Sequence, residues 1–167
     1  MKRQQVSALH HLTYGQRIVP GREDFESAWK AVKALATGRG ALTNAQKLCL
    51  LGRMSAIGTP PDVMDEVMAW NERSHRPATL LARVRVRPGS RWGTAPWMIY
   101  EGLSVAMAES DLPLTDMDEV RAVAKRMHVA PESVDALAQF CRDEAAIRRQ
   151  RISMLSTSEF VIHVDQL

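Results

Sequence analysis

Residues 22–38, REDFESAWKAVKALATG, constrain the fold most. Phe25, Trp29, Val32 and Leu35 recur at the three-and-four spacing of a helix, which puts them on one stripe. Acids crowd the first turn, where they suit the positive end of the helix dipole; Lys30 and Lys33 come later, and Gly38 and Gly40 end the segment. A helix with such a stripe must bury it against neighbours, so a helical bundle is expected.

Further segments repeat the signal. LTNAQKLCLLGRMSAIG (42–58) reads as a helix with Thr43 or Asn44 as N-cap and Leu48, Leu51 and Met54 or Ser55 inward. TPPDVMDEVMAWNERS (59–74) follows after a short turn, with Thr59 as cap and Pro60 or Pro61 in the first turn. TDMDEVRAVAKRMHV (115–129) opens on a near match to a capping box, Thr115 with Asp118. APESVDALAQFCRDEAAIRRQRISML (130–155) reads as one long helix with Val134, Leu137, Phe140 or Cys141, and Ile147 on its buried face. Between these, residues 78–100 alternate β-branched and polar residues around a turn near Pro88–Gly93 and are expected to form a hairpin. The second arm is ambiguous, because residues 96–110 read equally as a helix starting at Pro96, and Glu101–Ala108 favours helix. Trp97 is expected to pin the hairpin to the helical core. SEFVIHVDQL (158–167) reads as a short C-terminal strand. The expected fold is therefore mainly α: a bundle of five to six helices with a small wing-like β-hairpin and that strand. Residues 1–21 form an arm, 22–100 a basic helical domain and 101–167 an acidic one.

Charge divides the chain. Residues 1–91 hold 15 Lys+Arg against 7 Asp+Glu, a net of +8; residues 92–167 hold 7 against 12, a net of −5. The basic half suits phosphate contacts, and the acidic half suits a dimer or a regulatory partner. Within LLARVRVRPGSRWG (80–93), Arg83, Arg85 and Arg87 share one face of an expected strand, roughly 6.6 Å apart and near the spacing of phosphates. All six cations from 73 to 91 are Arg, whose planar fork grips phosphate or guanine.

Three helices followed by this basic hairpin resemble the winged helix-turn-helix family of DNA-binding modules, with Gly58 in AIGTPP at the family's turn position. VRAVAKRMHVAPESVDAL (120–137) also resembles the helix-turn-helix pattern: Ala124 takes the small-residue position, Met127, Val129, Val134 and Leu137 the apolar ones, and His128 stands where the family often has Gly. Acids near the start of the second helix of each pair (Asp62, Asp65 and Glu66; Glu132 and Asp135) oppose insertion into a groove. The resemblance implies duplex DNA contacted by Arg76, Arg83, Arg85, Arg87 and Arg91, with Lys47 and Arg53 from the second helix. The expected function is a DNA-binding regulator acting by occupancy, as a homodimer. The alternative is a small helical adaptor or inhibitor that binds an acidic protein partner.

The five histidines are scattered, and no zinc spacing, phosphate loop or nucleophile elbow occurs, so no metal site, cofactor or enzymatic activity is expected. Cys49 and Cys141 are expected to be buried thiols. No apolar run is long enough to span a membrane, and no signal-peptide core follows the N-terminus, so a cytoplasmic protein is expected.

Overall fold

The computed structural model describes residues 22–37, 41–71, 94–109 and 117–155. Six helices lie among them: α1 (Arg22–Thr37), α2 (Asn44–Ala56), α3 (Pro61–Ala69), α4 (Thr94–Ala106), α5 (Met117–Arg126) and α6 (Pro131–Leu155). None is long and apolar enough to cross a membrane.

The centre of the bundle is the α1–α4 pair, the most extensively packed among the described helices. Beyond its first turn α1 buries Ala28, Trp29, Ala31, Val32, Leu35 and Ala36, so it is enclosed nearly all round. α4 is enclosed likewise from Trp97 to Ala106. Helices enclosed on nearly every side lie inside, and these two pair at the centre, the charged side chains they bury, Lys33 and Glu101, being bonded there. Trp29 meets Trp97 edge to face, with ring centroids 5.1 Å apart. The backbones approach most closely at Gly102, where a Cβ would lie 2.7 Å from the Cβ of Leu35. α2 and α3 cover one side of this pair, and α6 packs on α4 with α5 beside it.

The helix ends follow from local chemistry. Thr43 caps α2 through a reciprocal box with Gln46, at 3.2 Å and 3.0 Å. α2 and α5 both close with paired backbone bonds: Gly58 to Ser55 and Thr59 to Met54, His128 to Lys125 and Val129 to Ala124. The residue in the left-handed region is Gly58 (φ 77°) in one and His128 (φ 59°) in the other. The α3 C-terminus receives the buried ammonium of Lys33, which donates to the carbonyls of Val67 (3.1 Å), Met68 (2.9 Å) and Trp70 (2.7 Å). A cation there satisfies carbonyls that the helix leaves without partners. Arg22 on α1 donates to Glu66 and Asp62 of α3, and these bonds, Glu66 first, hold its guanidinium above the ordinary arginine range.

Several expectations change. Residues 94–100, the second arm of the expected hairpin, are the first two turns of α4. The run Trp97–Tyr100 is apolar because it enters the bundle centre, and Pro96 fits a helix start. Trp97 does pin the core, but from a helix. The first arm (80–87) and the expected C-terminal strand lie outside the described residues. The inward stripe of α2 is Gln46, Leu50 and Met54, and Leu48 is exposed. Gln46 takes an inner position because its amide also donates to Ala106 O at 3.3 Å. Thr59 does not cap α3; it accepts a 3.0 Å bond from the indole N–H of Trp29. On α6 the buried stripe is Val134, Ala138, Cys141 and Ala145, while Phe140 and Ile147 face outward.

Candidate partner-binding groove

α2, α4 and α6 frame an open groove of about 470 Å³. Its floor is Ser104 of α4 and Met107 just past the end of that helix, one wall carries Arg53 of α2, and the other is the side of α6 with Phe140, Glu144, Ile147 and Arg151. The small residues that α6 presents to the core explain this shape. Ala138, Cys141 and Ala145 let α6 lie close on α4, and its larger apolar side chains turn away from the bundle.

The polar groups of the groove are held by one another. Glu101 is fully buried, and Arg53 donates to it from Nη1 at 2.7 Å. The same guanidinium lies 5.2 Å from the centroid of the Tyr100 ring. The Tyr100 hydroxyl donates to Glu144 Oε2 at 2.7 Å, and burial pushes its pKa up to about 12. The Tyr100 ring packs against Phe140, with centroids 6.0 Å apart. The Cys141 thiol sits 3.3 Å from the Ser104 hydroxyl, and burial raises its pKa. A raised thiol pKa keeps the group protonated and a poor nucleophile. Cys49 is half-buried with its thiol 4.0 Å from the Ser104 carbonyl oxygen, and both thiols are free.

Beyond Ala145, α6 runs on for ten residues, AIRRQRISML (146–155), none of them buried. They combine Ile147, Ile152, Met154 and Leu155, all exposed, with Arg148, Arg149 and Arg151, and contain no acid. Arg148 donates to Ala108 O at 3.2 Å, which ties the start of this segment to the turn just after α4.

Of the site residues expected from sequence, Arg76, Arg83, Arg85, Arg87 and Arg91 lie outside the described residues. Lys47 is exposed and opens onto a second depression of about 330 Å³, beside Lys33 and Trp70. Arg53 lies in the groove against Glu101, so these two α2 cations face different depressions. Sequence reasoning missed Tyr100, Glu101 and Glu144. One signal was available: Glu101 is a lone charge in the apolar run WMIYEGLSVAM, which implies a buried partner. Among the described residues no group of three His, Cys, Asp or Glu side chains is arranged to hold a metal.

No family model matches the chain, and no curated protein matches it. Among solved structures the chain is similar to a tellurite resistance protein from Nostoc punctiforme. The TM-score is 0.70 with 21% identity, over 89% of this chain and 90% of that one. The chain therefore shares the helical architecture of that protein.

Proposed function

We propose that the protein is a helical adaptor that works by occupancy, presenting the outer face of α6 and the adjoining groove to a protein partner. The observation that carries this reading is the segment 146–155, which adds nothing to the described core yet displays four exposed apolar residues among three arginines. Apolar surface rimmed by charge of one sign suits a docking element that carries carboxylates among apolar residues. The groove chemistry supports binding over catalysis: the Tyr100 phenol and the Cys141 thiol are both shifted toward their protonated forms, and Arg53 is committed to Glu101. The test is fluorescence anisotropy with helical peptides that share one apolar face and differ only in carrying glutamate or lysine around it. The acidic peptide is expected to bind and to lose affinity in Ile147→Asp and in Arg148→Glu/Arg151→Glu. Equal affinity for both peptides, or for neither, contradicts the reading.

A second reading, occupancy of duplex DNA by the basic half, is favoured by the +8 net charge of residues 1–91 and the exposure of Lys47. It predicts affinity that falls steeply with salt and is largely lost in the triple variant Arg83→Ala/Arg85→Ala/Arg87→Ala. Unchanged DNA binding in that variant contradicts it.

A further inference from the structure

We infer that α6 is also a self-complementary interface, through which two copies of the chain associate antiparallel about a two-fold axis at Ile147. Phe140, Ile147 and Met154 are spaced by seven residues, so they form one stripe about 21 Å long by the rise of a helix. All three are exposed, at 53%, 56% and 76%. With Ile147 on the axis, Phe140 of one copy faces Met154 of the other, and Ile147 faces its own image.

Charge fixes the orientation. Residues 131–144 of α6 carry Glu132, Asp135, Asp143 and Glu144 against Arg142, a net of −3. Residues 145–155 carry Arg148, Arg149 and Arg151 and no acid, a net of +3. A parallel pair would place like charges together, and an antiparallel pair places opposite charges together. Glu144 and Arg151 each follow a stripe residue by four positions, so they lie on the same flank of the stripe. In the antiparallel pair Glu144 of each copy therefore lies beside Arg151 of the other, and the contact occurs twice, as an isologous interface requires. Tyr100 holds Glu144 in place through its 2.7 Å hydrogen bond. Three apolar residues a side make a patch smaller than the roughly 800 Å² per partner of a standard interface, so association in the micromolar range is expected. Self-association would cover Ile147 and Arg151, and so would regulate the adaptor face by competition; the interface itself does not depend on that reading.

Sedimentation velocity over a micromolar concentration series tests this with the full chain, needing neither peptide nor DNA. Wild type is expected to shift reversibly from monomer to dimer. Glu144→Arg and Arg151→Glu each turn both attractive contacts into repulsive ones, so each alone is expected to dimerise at least about tenfold more weakly. An equimolar mixture of the two variants restores both contacts in a mixed dimer, with affinity expected within about threefold of wild type. Restoration also requires Glu144→Arg to be folded, and Arg151→Glu, at an exposed position, serves as the variant least able to disturb the fold. A wild type that stays monomeric, dimers indifferent to Arg151→Glu, or a mixture no tighter than its components would each overturn the inference.

Discussion

Gly102 and Gly52 both sit inside helices, yet replacing each with Ala should move stability in opposite directions. At Gly102 the new Cβ would lie 2.7 Å from Leu35 Cβ and 3.3 Å from Leu35 Cδ1. Carbon atoms pack best at roughly 3.5–4.0 Å, so the shorter contact is about 1 Å too close. Leu35 Cβ is fixed by the α1 backbone and cannot swing aside, so α1 and α4 must separate at their crossing. Overpacking of this kind costs about 3 kcal/mol, at the upper end of its usual range. Helix propensity returns about 1 kcal/mol, leaving Gly102→Ala about 2 kcal/mol less stable than wild type. At Gly52 nothing lies within 4 Å of the added Cβ, so only propensity acts, and Gly52→Ala should gain up to about 1 kcal/mol. Urea unfolding followed by far-ultraviolet circular dichroism reads both. The two midpoints should fall on opposite sides of wild type at unchanged slope, about 3 kcal/mol apart. A Gly102→Ala protein as stable as wild type would refute the close α1–α4 crossing on which the fold is argued.

Other perturbations follow from the buried polar groups. Arg53→Met leaves Glu101 buried without its ion pair and should cost about 3 kcal/mol, while Arg53→Met/Glu101→Met should return to within about 1 kcal/mol of wild type in the same unfolding assay. Lys33→Met removes three charge-assisted bonds to the end of α3 and should cost about 2 kcal/mol, with amide hydrogen exchange rising first over residues 66–70. Tyr100 supplies a pH dependence. Its folded pKa of about 12 exceeds the ordinary 10.0, so between those values the unfolded chain releases a proton that the folded chain keeps. The unfolded state then binds fewer protons, so this contribution is constant below about pH 10 and stability falls as pH rises toward 12. Tyr100→Phe should show a shallower fall across the same window, with the buried Cys141 thiol, also raised, still contributing.

What the sequence made legible was periodicity, and what it hid was size. The α1 stripe was readable because Phe25, Trp29, Val32 and Leu35 are all large and all buried. On α6 the same rule held only in part: Val134 is buried, as is Cys141, the alternative to Phe140, but the rest of the stripe is Ala138 and Ala145, and a search for bulky residues selects Phe140 and Ile147, which face outward. Leu48 failed for the related reason that a polar residue, Gln46, holds the inner position through backbone bonds. The segment 94–100 has the composition of a strand, but an apolar run does not distinguish a buried strand from a buried helix. The groove was the least visible feature. Arg53 was singled out for its charge, but its partner Glu101 lies 48 residues away, and only the packing of α2 on α4 brings them together.

The proposed binding surface is the outer face of α6 with the groove beside it. Backbone amide chemical-shift mapping by nuclear magnetic resonance, with the acidic amphipathic peptide added to the full chain, tests it most directly. Perturbations are expected to concentrate at residues 140–155 of α6 and around Arg53, Ser104 and Met107, and to be absent with the lysine-bearing peptide. Shifts confined to α1, α3 or α5, or no shifts at saturating peptide, would contradict it.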